Sequence, residues 1–177
     1  MQKVAVISLI LLAFTGLAAA QVPTAGNVFF GYSYANAPLV TSNNTNLNGW
    51  NGSLEGKFLP WIGLVADLGG YYGSQTKPGV AKVNGSVYTF LFGPRVSVSV
   101  GRFRPFAHAL FGAGRTSSSG GGYSASDISF SDALGGGLDY KIMKGLAWRG
   151  QLDALQTRFY GRDQNGLRFS TGIVIHF

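Results

Sequence analysis

The stretch Gly166–Phe177 reads GLRFSTGIVIHF, and its alternation decides the fold. Leu167, Phe169, Thr171, Ile173, Ile175 and Phe177 fall on one face of an extended chain. Arg168, Ser170, Gly172, Val174 and His176 fall on the other. A two-residue period is the mark of a β-strand with two unlike faces. A sheet wetted on one side would load that side with Lys, Glu and Asp. Here the less greasy face carries Ser, Gly, Val and His with a single arginine.

The same pattern recurs upstream. In SVYTFLFGPRVSVSV, Tyr88, Phe90, Phe92, Pro94, Val96, Val98 and Val100 oppose Val87, Thr89, Leu91, Gly93, Arg95, Ser97 and Ser99. In GWNGSLEGKF, Trp50, Gly52, Leu54, Gly56 and Phe58 oppose Asn51, Ser53, Glu55 and Lys57. In LAWRGQLDALQTRF, Leu146, Trp148, Gly150, Leu152 and Ala154 oppose Arg149, Gln151 and Asp153. Eight such segments are expected, near 27–35, 47–58, 62–73, 85–99, 104–115, 129–141, 146–159 and 166–177. Their connections alternate long and short. The long ones, at 36–46, 74–84, 116–128 and 160–165, are rich in Gly, Ser and Asn and read as loops. An antiparallel meander with two unlike ends follows. No composition break marks a second domain.

Composition narrows the class. The 177 residues include 27 glycines, 14% aromatics, 12% charged residues and no cysteine. Soluble domains are about a quarter charged. Disorder needs low hydrophobicity, whereas this chain is 46% hydrophobic. Residues 1–20 read as a signal peptide: Lys3, the apolar run Val4–Phe14, then small residues ending in Ala18-Ala19-Ala20 rather than a span of about 20 apolar residues. The ordered domain is then 21–177. Removing Lys3 takes the formal charge from +7 to +6. The remaining basic residues are scattered, which argues against nucleic acid as a partner and for anionic lipid or sugar at a surface.

These features favour an all-β fold: an eight-stranded antiparallel up-and-down transmembrane β-barrel. Strands of about ten residues suit a tilted crossing of lipid. Closure is required there, because an open edge leaves backbone groups unbonded. An interior just wide enough for side chains admits small residues and paired charges. The inward phase picks out Glu55, Asp67, Arg95, Asp139, Arg149, Asp153 and Arg168 as a lumen charge network. Two aromatic belts are expected at the bilayer interfaces. Their members are Phe58, Trp61, Phe106, Tyr140 and Trp148 near the short turns, and Trp50, Tyr72, Tyr88 and Phe169 toward the long loops.

At this point the chain resembles the small eight-stranded outer-membrane barrels, the OmpA-like/OmpX-like group. The resemblance rests on the signal peptide, the eight alternating strands, the segments RPFAHALFGAGR and LGGGLDYKI, and the terminal strand closing on Phe177. It implies a bacterial outer-membrane location and makes Phe177 an assembly signal read by the outer-membrane insertion machinery. It also implies both termini and the short turns on the periplasmic side, with the longer loops facing outward. The peptidoglycan-binding domain of larger relatives does not follow Phe177, so a cell-wall tether is not implied.

Chemistry is sparse. His108 and His176 both have the inward phase, toward the periplasmic half, and neither shows the hydroxyl partner and orienting carboxylate of a nucleophilic site. Two separated histidines and scattered carboxylates lack metal-ligand spacing. GGGYSASD and ALGGGLD lack the strand–loop–helix setting and Lys-Ser/Thr of phosphate loops. No catalytic residue, cofactor or metal is therefore expected. The function expected is an integral outer-membrane protein for envelope integrity and surface contact, its lumen plugged by paired charges. A narrow or transient pore for small solutes is the alternative, and a lipid-modifying enzyme a more distant one. Outer-membrane lipid, the assembly machinery and extracellular ligands of the loops are the expected partners, with a monomer favoured.

Overall fold

The structure, a computed structural model, describes residues 25–38, 44–75, 83–120, 123–157 and 164–177. Residues 1–20 and the tips of the long connections lie outside them. Eight strands form: β1 (Gly26–Pro38), β2 (Asn44–Lys57), β3 (Ile62–Gln75), β4 (Val83–Ser97), β5 (Phe103–Gly120), β6 (Tyr123–Met143), β7 (Leu146–Thr157) and β8 (Gln164–His176). Each pairs antiparallel with its sequence neighbour, and β1 pairs with β8 to close the barrel. The closing register sets Gly31 opposite Gly172 and Val28 opposite Ile175.

The strands run further than the alternation suggested, most of all beside the third long connection. There Thr116–Gly120 and Tyr123–Asp127 form a paired ribbon where a loop over 116–128 was expected. Ser and Gly content signals a loop because such side chains pack poorly. The ladder, however, is made by backbone groups that every residue except proline carries. Thr116–Gly120 and Tyr123–Asp127 therefore continue the hairpin.

The short turns are tight. Residues 98–102 join β4 to β5, with Gly101 and Arg102 at the tip between Val100 and Phe103, which exchange backbone bonds at 2.8 and 3.0 Å. Lys144 and Gly145 join β6 to β7. Gly101 has φ of 61° and Gly145 of 80°, the left-handed region that two-residue hairpins demand and glycine enters without strain.

Inside and outside alternate along every strand. Phe30, Leu54, Leu68, Phe90, Phe92, Leu134, Leu152, Ile173 and Ile175 all face outward and are exposed. The interior is filled rather than open. Val65, Leu91, Leu110, Ala133 and Leu155 cluster on one side. Ala35, Leu47, Tyr71 and Val87 cluster toward the long-loop end, and Phe29, Ala147 and Val174 toward the short turns. Buried polar groups occupy the remainder.

Candidate functional site

The candidate site is the barrel interior. Period-two alternation brings one residue in two inward, and eight strands bring those residues within reach of one another across the axis. Glu55, Asp67, Arg95, Asp139, Arg149, Asp153 and Arg168 all lie on the inner face and are buried.

They form one connected chain. Arg149 grips Asp139 twice, Nε to Oδ1 at 2.6 Å and Nη2 to Oδ2 at 2.8 Å. Its Nη2 also donates to Asn27 Oδ1 at 3.3 Å. Asn27 Nδ2 donates to Glu55 Oε2 at 2.7 Å, which also accepts from Arg95 Nη1 at 3.2 Å. Arg95 Nη2 reaches His108 Nδ1 at 3.1 Å, and His108 Nε2 meets Asp153 Oδ1 at 2.8 Å. Arg168 then bridges two carboxylates, Nε to Asp153 Oδ2 at 2.7 Å and Nη1 to Asp67 Oδ1 at 2.8 Å. Asn51 closes the run on Asp67 Oδ2 at 3.0 Å. Every strand of the barrel contributes a member.

The charges nearly cancel. Three guanidiniums face four carboxylates, and Lys57 at the rim, 3.9 Å from Glu55, supplies a fourth cation. Burial of an ion costs several kcal/mol unless paired and hydrogen-bonded, so this balance is what lets the groups sit inside. Space is balanced too. Arg149 is flanked in register by Gly172, and Gly172 by Gly31. A Cβ on Gly172 would meet the Phe30 carbonyl oxygen and the Gly31 Cα. The bulky side chain fits because its neighbours have none.

Phe106 corrects the sequence reading. It was placed in the aromatic belt, but it points inward and is buried. Its ring lies 4.4 Å from the Arg95 guanidinium carbon and 4.6 Å from that of Arg149. Both cations are of the same charge, and the ring offers each an attractive quadrupole. The signal was legible. Phe106 has the phase of His108, which the alternation already placed inside.

The other belt residues face outward. Phe58, Trp61 and Trp148 are exposed toward the short turns, as are Tyr72, Tyr88 and Phe169 toward the other end, and Trp50 and Tyr140 are half-buried. Tyr72 and Tyr88 hydroxyls lie 3.1 Å apart. Phe30 stacks on Trp50 with ring centres 6.4 Å apart, and Phe103 leans on Tyr140 at 5.3 Å. Phe177 is exposed, and its backbone exchanges two bonds with Gly26.

Asn27, Asn51 and Gln151 are network members that charge alone could not reveal, although their inward phase was readable. Gln151 Nε2 donates to Asp153 Oδ2 at 2.8 Å. His108 sits beside a carboxylate, as a catalytic base would, but both ring nitrogens are engaged. A guanidinium only donates, so Nδ1 accepts from Arg95 and Nε2–H is spent on Asp153. Neither is left to take a proton from a nucleophile.

No protein-family model and no curated protein matches the chain. Solved structures do. Ail, the attachment invasion locus protein of Yersinia pestis, is 16% identical over 86% of this chain and 98% of its own, with a TM-score of 0.66. Neisserial surface protein A is 13% identical over 86% and 99%, at 0.67. The N-terminal β-barrel domain of Pseudomonas aeruginosa OprF is 14% identical over 86% and 99%, at 0.59. The chain has the fold of the small eight-stranded outer-membrane barrels.

Proposed function

We propose that this chain is an integral outer-membrane barrel whose lumen is a closed polar plug, and that it serves envelope structure and surface contact without catalysing a reaction. The observation that carries the reading is the burial of Arg95, Arg149 and Arg168, each 0% exposed. Guanidiniums packed out of reach of water favour a filled interior over an open one. The outer surface supports the setting, since its exposed Phe, Leu, Ile and Val residues form a continuous apolar band that lipid covers at no cost. The fold shared with outer-membrane barrels supports the location. On this reading the signal peptide exports the chain, the insertion machinery reads Phe177, and the ends of the long hairpins meet external partners.

A transient pore is the second reading, favoured by one feature. Arg95 lies between two acceptors, Glu55 and His108, so a change of partner would alter the plug without unfolding it. Single-channel recording of the refolded barrel in planar bilayers separates the two. Silence from a sample that shows a heat-dependent gel-mobility shift supports the plug. Steady conductance steps that change in Glu55→Gln or Arg95→Gln overturn it in favour of the pore.

A further inference from the structure

The mouth at the short-turn end holds a cavity of about 260 Å³ that meets the lumen network only at Asp139. Ser99, Arg102, Arg104, Asp139, Lys141 and His176 are among the residues that line it. Its one carboxylate is already neutralised, because Arg149 bonds both oxygens of Asp139. Its cations are in surplus. Arg102, Arg104 and Lys141 make no ion pair among the described residues, whereas the lumen carboxylates all have partners within the barrel.

The donors are also held in place. Arg104 Nε donates to Ser99 Oγ at 2.9 Å and its Nη1 to His176 Nδ1 at 3.3 Å. Since a guanidinium cannot accept, His176 carries its ring proton on Nε2, which remains a donor. Two backbone bonds tie the lining elements together. Lys141 N–H donates to the Arg102 carbonyl at 2.8 Å, tying β6 to the β4–β5 turn. His176 N–H donates to the Gly145 carbonyl at 2.8 Å, tying β8 to the β6–β7 turn. What remains unspent is Arg104 Nη2, His176 Nε2–H, the Lys141 ammonium and the Arg102 guanidinium.

We infer that this mouth binds a phosphate group, either as a free phosphate or on the headgroup of an adjacent anionic lipid. A donor-only site with three surplus cations matches a tetrahedral phosphate, whose several oxygens accept from different sides. A carboxylate, with two oxygens in one plane, could not meet donors spread around the mouth. The inference does not depend on whether the lumen conducts.

The test uses the barrel refolded in maltoside micelles, titrated calorimetrically with inorganic phosphate and, as control, acetate. Saturable phosphate binding is expected. Arg104→Gln and Lys141→Gln should each weaken it about tenfold, the effect of losing one charge-assisted bond. Arg115→Gln, an exposed arginine on the other half of the barrel, should leave it unchanged. In a second arm, folded barrel is extracted from mixed phosphatidylcholine and phosphatidylglycerol, and the retained lipid is measured by mass spectrometry. Phosphatidylglycerol kept by the wild type and lost by Arg104→Gln, without saturation by free phosphate, identifies the headgroup as the source. If neither arm shows binding, or Arg115→Gln lowers it as much as the mouth variants, the inference is overturned. Should Arg104→Gln fail to fold, Ser99→Ala removes the bond that orients Arg104 while keeping every charge, and a weaker phosphate affinity there carries the same meaning.

Discussion

Arg168 of β8 and Asp67 of β3 meet inside the barrel, Nη1 to Oδ1 at 2.8 Å, although their strands are not neighbours. The same guanidinium holds Asp153 of β7. It ties strands far apart in sequence through the interior rather than through the ladder, as Arg149 does with Asn27.

Replacing Arg168 with Met should therefore strip two buried carboxylates at once. Removing one member of a buried pair costs about 3–5 kcal/mol, and Asp153 retains only His108 and Gln151. The folded band in a heat-dependent gel-mobility assay should disappear at a distinctly lower temperature. An unchanged midpoint would show that Asp67 and Asp153 need no cation.

Arg149 and Asp139 should behave as a unit. Arg149→Met alone leaves Asp139 buried without its partner, whereas Arg149→Met with Asp139→Asn removes both charges. The double variant should be destabilised by less than the sum of the singles, with a coupling of about 0.5–3 kcal/mol. Strict additivity in denaturant titrations would mean the pair is independent despite its two bonds.

Phe106 separates the lumen from the belt. Phe106→Ala deletes a buried ring between two guanidiniums and should cost about 3–5 kcal/mol. Trp61→Ala, on the exposed surface, should cost much less. Equal losses in unfolding titrations would return Phe106 to the belt.

Leu68, midway along β3 and facing outward, reports on the surrounding medium. Leu68→Arg should destabilise a barrel in bilayers by about 2–4 kcal/mol, the depth-dependent cost at the centre of the lipid. Comparable stability of the variant and wild type in liposomes would contradict lipid on that face.

Gly172 tests closure. Gly172→Val puts a side chain against the Phe30 carbonyl and Gly31 at the seam between β1 and β8. The yield of folded barrel should fall sharply, while Gly52→Val, where the nearest neighbours stand at 3.6 and 3.7 Å, should fold. Equal folded yields from the two variants would show that the seam tolerates a side chain at Gly172.

The number of strands, their faces and the meander order were legible in the sequence, because side chains on a strand alternate with a fixed period of two and turns carry their own residues. Glu55, Asp67, Arg95, Asp139, Arg149, Asp153 and Arg168 were legible as inward for the same reason. The extent of β5 and β6 was not, because backbone pairing runs through Ser and Gly that composition reads as loop.

Partnership was decided only in three dimensions. Alternation places Arg168 and Asp67 on the inside of strands β8 and β3, but says nothing of their separation. Distance across the axis depends on the register between strands and on closure of the sheet, which sums eight pairings. So does the grip of Arg95 and Arg149 on Phe106, and so does the cationic mouth, where two turns and the neighbouring strand ends converge. The sequence determined which face each residue takes, since that is a local property of the extended chain. The tertiary structure decided which residues touch, since contact across a closed barrel is set by all the strands together.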